Sequence, residues 1–297
     1  MILQRKTRSL EPSEENRPVR TFSLPIPPLI AVALLLAFVL LALGLLAPIL
    51  APYSIREQSL LNRLKPPVFI SGESSYLLGT DHLGRDLLSR LLFGLRTTLG
   101  IATAGTLLGL LVGAGLGLLA GVTGGFIDTL IMFLVDIQVA LPSTLVALTA
   151  VAIFGTSLQA LILILGIAGW DAYARIVRGQ VLATRDLAFV EAARALGVNG
   201  WQLTLRHILP NIVSPIIVLA TMNFSFIVLL ESGLSFLGLG VQPPHTSLGL
   251  MLGAGRDYMA SAWWIAAWPA SLIILISIVI SLLGDWLRDV LDPNLSA

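Results

Sequence analysis

The 297-residue sequence is 56% hydrophobic and 12% charged, about half the charge share of an ordinary soluble domain, with a formal net charge of +1. Nucleic-acid recognition needs clustered Lys and Arg to neutralise phosphates, so that class of function is excluded. With no cysteine and three scattered histidines, His82, His207 and His245, the chain offers no disulfide framework, no thiolate zinc site and no metal-ligand spacing.

Residues 1–21 carry Arg5, Lys6, Arg8, Arg17 and Arg20. This charged run is too long, and the apolar stretch after it too extended, for a cleaved secretory signal. It reads as a retained cytoplasmic tail ahead of a membrane domain over 22–297. A bilayer core of about 30 Å takes about 20 apolar residues at 1.5 Å each. Runs of that kind place membrane spans at about 29–50, 97–121, 129–154, 156–174, 211–230 and 262–284. The third holds Asp136 and Pro142, the fourth ends near Asp171, and the fifth contains Pro215, which a membrane helix tolerates when neighbours satisfy the freed carbonyl. Soluble helices would carry a polar stripe at 3.6-residue spacing, and these runs carry none. The expected fold class is all-α, a polytopic membrane protein of about six transmembrane helices.

Between the first two spans, the loop 52–96 starts Pro-rich and continues as Leu78-Gly79-Thr80-Asp81-His82-Leu83-Gly84-Arg85-Asp86. After it, Leu87, Leu88, Leu91, Leu92 and Leu95 recur on one helical face, with Asp86, Ser89, Arg90 and Arg96 on the other. That pattern predicts a short helix lying in the membrane interface. Asp81 or Asp86 is expected to cap a helix rather than bind a metal, with His82 at the wet boundary.

In the second span Gly105, Gly109, Gly113, Gly117 and Gly121 recur every fourth residue, which aligns them as a groove that another helix can approach closely. Spacing leaves open whether that helix belongs to this chain or to a second subunit. Asp136, in the third span, is the best candidate for a pathway or helix-packing contact, because an intramembrane carboxylate is costly and usually faces protein or water. Asp128 and Asp171 read as interfacial, and Glu231 falls at the outer end of the fifth span.

Six spans put both termini on one side. The balance of Lys and Arg favours the cytoplasm for that side, although Arg56, Arg63, Lys65, Arg85, Arg90 and Arg96 in the first loop weigh against it. The loop 178–210 on the same side reads as two short helices. Asp186 is placed to cap the first, 187–196, which stops at Gly197, a residue suited to the left-handed C-terminal position. Asn199 is placed to cap the second, which must end before Pro210. The first is an alanine-rich rod; the second sets Trp201, Leu205 and Ile208 on one face, with Arg206 and His207 near its negative end. The last outer loop, 231–261, is rich in Gly and Pro, and Trp263 and Trp264 follow it as interfacial anchors.

Glu191-Ala192-Ala193, then Gly197 four residues after Ala193, then Leu209-Pro210 resembles the EAA loop of ATP-binding-cassette importer permeases. The general pattern has isoleucine where this chain has His207, and Arg206-His207-Ile208-Leu209-Pro210-Asn211 is more similar to the peptide and nickel branch. Three further segments resemble the same branch: 78–86, Ser235-Phe236-Leu237-Gly238-Leu239-Gly240-Val241-Gln242-Pro243-Pro244, and Gly284-Asp285-Trp286-Leu287-Arg288-Asp289-Val290-Leu291-Asp292-Pro293. The chain departs from the branch at Phe189 for tyrosine, Leu248 for tryptophan and Phe133 for an arginine that often precedes Asp136.

The resemblance implies a type I importer permease fold without enzymatic activity in a bacterial inner membrane. It implies a second, related but non-identical permease, two cytoplasmic ATP-binding subunits and an extracytoplasmic solute-binding protein as partners, besides membrane lipid. ATP and Mg would be bound by those partner ATPases, since the chain has no phosphate-loop motif and its only lysines are Lys6 and Lys65. Glu191, Ala192, Ala193, Gly197, His207, Leu209 and Pro210 are the implied ATPase-coupling residues. Dipeptides or oligopeptides are the implied solute, with nickel complexes or glutathione as alternatives in the same family. A secondary transporter driven by an ion gradient is the more distant rival, because the spans lack a relay of titratable groups.

Overall fold

A computed structural model describes residues 27–72 and 76–291. The expected tail 1–21 lies outside the described residues, as do Asp292 and Pro293 of the final motif. The helices are α1 (Pro28–Leu45), α2 (Ala47–Leu50), α3 (Val68–Ser71), α4 (Leu87–Thr123), α5 (Gly125–Ala140), α6 (Ser143–Phe154), α7 (Leu158–Ile167), α8 (Trp170–Arg185), α9 (Ala188–Ala195), α10 (Gly200–Leu203), α11 (Leu209–Phe236), α12 (Leu248–Gly255) and α13 (Trp264–Leu291). Among the described residues there is no β-strand, only an isolated bridge between Thr80 and Asp86. All-α architecture is what an apolar chain in lipid requires, since helices satisfy their own backbone groups.

Five stretches are long and apolar enough to cross a membrane: α1, α4, α7 with α8, α10 through α11, and α13. The pair α5 and α6 is long and apolar enough only when taken together, and the two meet at an angle of 95°. The run 129–154 is therefore not one straight helix. Pro142 explains the break: it lacks an N–H and disfavours helical backbone at Leu141, which is extended with ψ of 136°.

Contacts sort the two ends of the bundle. Arg185 at the end of α8 donates to the Gly121 carbonyl near the end of α4 at 3.2 Å, so the 186–199 loop sits beside the C-terminal end of α4. Gly44, near the end of α1, lies against the Arg96 backbone close to the start of α4, so α1 begins at the loop end. Arg288 and Leu291 share a cavity with Pro210 and Asn211. Both ends of the described chain thus lie at the end of the bundle that carries α9.

Two expectations from sequence fail for physical reasons. The leucines from Leu87 belong to no separate interfacial helix; they form the first turns of the 37-residue α4, which at about 1.5 Å per residue is far longer than a bilayer core. Arg90 and Ser89, read as the wet face, are buried because Asp81 and Asp86 satisfy them. Nor does the helix from Gly200 end before Pro210: it continues to Phe236 through a π-helical segment, 204–208. A π turn widens the backbone just where the proline ring would strike the carbonyl one turn back, so the chain passes Pro210 unbroken.

Candidate functional site

The glycine groove of α4 closes on α7 and α8 of this same chain. A Cβ at Gly109 would lie 2.7 Å from the Gly166 carbonyl oxygen, at Gly113 2.2 Å from that of Trp170, at Gly117 2.4 Å from that of Ala174, and at Gly121 2.7 Å from the Val181 Cβ. Gly105 meets Ile227 of α11 at 3.3 Å. Only hydrogen fits at the four positions facing α7 and α8, and the backbones pack by dispersion, the force left in lipid once hydrophobic burial drops out. Where α7 gives way to α8, Asn223 of α11 donates to the Gly169 carbonyl at 3.2 Å, closing a gap that lipid would leave unsatisfied. The pieces α4, α7 and α8 are therefore packed as one unit.

At the end of that body stands α9. Asp186 does not cap it; it follows α8, beside Arg185 at 3.5 Å, and the cap position falls to Leu187. Gly197 does end the helix, with φ of +83°, and the Val198 amide returns to the Ala193 carbonyl at 3.2 Å. Asn199 caps α10 by accepting from the Gln202 amide at 2.8 Å.

Val190, Ala193 and Leu203, with Val198 alongside, form a small core that holds α9 to α10. Turned outward are Glu191 and Ala192, and with Ala192 come Phe189 and Leu196, spaced i, i+3 and i+7 on one face. Leu196 is 86% exposed. Trp201 and Leu205 are exposed as well, but Ile208 is not: the wider π turn rotates it inward, onto Val177, Val181, Ile212 and Ile216.

Of the residues implied for coupling, Glu191, Ala192 and Gly197 are thus surface groups and Ala193 is an anchor. His207, Leu209 and Pro210 form the base, where Asn211 Nδ2 donates to the His207 carbonyl at 2.6 Å. Beside the base, α8, α11 and α13 line an open cavity of about 850 Å³ that includes Gln180, Pro210, Asn211, Ser214 and Arg288.

Asp136 finds its cation on α8, where sequence offered none nearby. Arg175 Nη2 donates to Asp136 Oδ1 at 3.0 Å, and the two side chains are 51% and 73% exposed. Two residues on, Gln138 donates to the Ile167 carbonyl at 2.9 Å and accepts from Trp170 Nε1 at 2.7 Å. Nearer the α9 end, Arg178 grips Asp128 with two hydrogen bonds of 2.5 and 2.7 Å. Charges facing lipid at mid-bilayer would cost about 2.5–3.5 kcal/mol each on insertion scales.

The opposite end of the bundle is tied by the 78–86 segment. Asp81 accepts from the Leu83 and Arg85 amides, from Arg85 Nε at 2.7 Å and from the buried Arg90. Burial by itself would raise the Asp81 carboxyl, but Arg90 and Arg85 outweigh it and hold the group below the ordinary carboxylate value. Asp86 caps α4, accepting from the Ser89 amide at 2.7 Å. Gly84 has φ of +70°, and a Cβ there would strike the Ser59 carbonyl at 1.9 Å, so this turn admits no side chain.

His82 stacks on Tyr258 with ring centroids 5.4 Å apart. Burial, aided by Arg85, Arg90 and Arg63 against the pull of Asp81, holds its pKa below the usual 6.5. Close by, the buried Glu231 accepts from Ser235 Oγ at 2.6 Å and Thr98 Oγ1 at 3.5 Å, and Thr98 Oγ1 in turn receives the Leu248 amide at 3.2 Å. Glu231 is therefore a packing node joining α4, α11 and α12. Among the described residues no group of three or more His, Cys, Asp or Glu is placed to hold a metal ion.

Residues 113–297 match the family model described as binding-protein-dependent transport system inner membrane component. The chain is 43% identical over 263 residues to the di/tripeptide transport system permease protein DppC of Pseudomonas aeruginosa, covering 88% of this chain and 87% of that one. It is 39% identical to the glutathione transport system permease protein GsiD of Pectobacterium atrosepticum, over 89% and 86% of the two chains. The probable D,D-dipeptide transport system permease protein DdpC of Escherichia coli is 33% identical over 99% of this chain and 98% of its own. In fold, the chain is similar to a subunit in an inward-facing structure of the MetNI methionine ABC transporter, with a TM-score of 0.56 at 21% identity, over 68% of this chain and 96% of that one.

Proposed function

The chain belongs to the binding-protein-dependent transport system inner membrane component family and is a non-enzymatic permease subunit of an ATP-binding-cassette importer, and we propose that it passes di- or oligopeptides inward as one of two related, non-identical permeases. The names of its relatives support peptides as the solute class, glutathione being itself a tripeptide-like solute. In this reading α9 lies in the cytoplasm, the described termini Pro28 and Leu291 face the same side, and two ATPase subunits hold ATP and Mg. A solute-binding protein meets the opposite face, where 78–86, α12 and the start of α13 pack together.

The observation that carries the reading is the unpartnered apolar face of α9, Phe189, Ala192 and Leu196, on a helix clamped at both ends. An exposed apolar helix face fits a groove on another protein, and Glu191 beside it can pair with a cation at the rim. Displacing α9 moves α8, because Leu187 donates to the Thr184 carbonyl at 3.1 Å and the 186–187 link is too short to absorb motion. The glycine seam then carries α4 with α8, while the π segment 204–208 is the softer joint to α11. ATP-driven movement is thereby delivered to a rigid α4–α7–α8 unit rather than lost in a flexible loop.

Reconstitution of the chain with its partner permease, ATPases and binding protein tests this. Uptake of radiolabelled dialanine is expected only with all components and ATP. Uptake by this chain without ATPase, driven by a proton or sodium gradient, would sink the proposal.

A further inference from the structure

Two features of unlike origin meet on the seam between α5 and α8. One is the Asp136–Arg175 pair, both side chains more than half exposed on the isolated chain. Both residues lie inside stretches long and apolar enough to cross a membrane, Asp136 about 17 Å along α5 and Arg175 about 15 Å before the end of α8 at 1.5 Å per residue. The other is the break between α5 and α6, where Leu141 and Pro142 are exposed and the chain turns by 95°. Non-helical backbone at membrane depth is tolerated only where protein buries it or water reaches it. Gln138, placed between the two features, spends its amide on the Ile167 carbonyl, on Trp170 and on the Asp171 carboxylate at 3.4 Å, so the charged groups the seam offers are the ion pair and, beside it, Asp171.

The geometry points to this seam, Asp136 and Arg175 with the Leu141–Pro142 break, as a wall of the water-filled path that offers a carboxylate and a guanidinium to the charged ends of the solute. A zwitterionic peptide carries both an ammonium and a carboxylate, each of which meets an opposite charge here without leaving water for an apolar surface. A second permease chain seated directly on the seam would instead have to bury the pair, and burial is costly for ions that lack further hydrogen bonds. This inference rests on the reading of the chain as an importer permease.

The absence of native cysteine allows a direct test in the complete complex in proteoliposomes. Ala140→Cys and Thr144→Cys flank the break and are exposed, while Phe38→Cys on α1, a helix without polar side chains, serves as the lipid-facing comparison. Thiols react as thiolates, which form in water and not in lipid, so charged methanethiosulfonates should label the two seam positions at least about tenfold faster than Phe38→Cys. Arg175→Gln should then raise the rate with the cationic reagent relative to the anionic one, and Asp136→Asn should lower it. Trialanine at saturating concentration should slow the labelling.

Labelling of the seam no faster than Phe38→Cys, cross-linking of Ala140→Cys to the second permease with no access to charged reagents, or rates indifferent to both charge removals and to trialanine would each overturn the inference. ATP-dependent uptake of dialanine by the parent complex is measured alongside, so a seam that fails in a working importer is distinguished from failure of the importer reading itself.

Discussion

Gly113→Ala places a single methyl group in the tightest part of the α4 groove. Its Cβ would sit 2.2 Å from the Trp170 carbonyl oxygen and 2.7 Å from the Tyr173 Cβ, where 3.4 Å begins ordinary contact. Both neighbours belong to α8, and the nearer is backbone, so no rotamer change relieves the clash; the helices must part by more than an ångström. Overpacking of this kind costs about 1–3 kcal/mol. Gly115→Ala, two residues along the same helix, meets nothing within 4 Å and should be neutral or gain up to about 1 kcal/mol from helix propensity. The two variants differ by the same methyl group, so composition and hydropathy cancel in the comparison. Thermal unfolding of the purified complex, followed by tryptophan fluorescence, should rank Gly115→Ala at or above the parent and Gly113→Ala several degrees below it, at roughly 2–4 °C per kcal/mol. Equal melting of the two would refute the claim that the glycine spacing locks α4 to α8.

The remaining predictions concern the two ends of the bundle. Leu196→Asp, at a site 86% exposed, should leave melting of the chain unchanged within about 0.5 kcal/mol yet reduce co-purification of the ATPases and dialanine uptake. Gly197→Val should lower both melting and coupling, because φ of +83° costs a β-branched residue about 1–2 kcal/mol, and Gly197→Asn should recover most of the loss. Asp81→Asn leaves Arg90 buried without its counter-ion and should destabilise the outer end by about 3–5 kcal/mol, read as faster proteolysis of the 52–86 loop. Acid should act on the same region in two steps. His82 titrates lower when folded, so its contribution is complete above the unfolded value of 6.5 and fades as pH falls through the folded value; Asp81, also lowered, adds a second loss below 3.8. His82→Gln should remove the first step from a melting-versus-pH curve and leave the second.

Much of this is legible in the sequence. Long apolar runs mark the stretches able to cross a membrane, four-residue glycine spacing marks a close helix contact, and Gly197 and Asn199 mark the turn between α9 and α10. What escaped the sequence depends on partners far along the chain. Arg90 looked wet until Asp81 and Thr246 were placed around it, the latter 156 residues away. Asp136 lacked a cation in its own segment because Arg175 supplies it from 39 residues on. Pro210 read as a stop, since a local rule sees the missing N–H and not the π turn that makes room for the ring. Pro142 lies inside the expected span 129–154, where a proline following an extended residue permits a right-angled break as readily as a kink. The stripe of Phe189, Ala192 and Leu196 is not singled out by the sequence, because exposure is a property of what packs nearby.

The most direct measurement is cross-linking from Ala192→Cys, a single thiol in a chain that otherwise has none. In inverted membrane vesicles containing the whole complex, a short bifunctional reagent should join this position to an ATPase subunit, with a yield that changes when ATP is added, while impermeant thiol reagents applied to right-side-out vesicles leave it untouched. Labelling from outside, or no ATPase adduct under any nucleotide condition, would contradict the assignment of α9 as the part that receives the motor's movement.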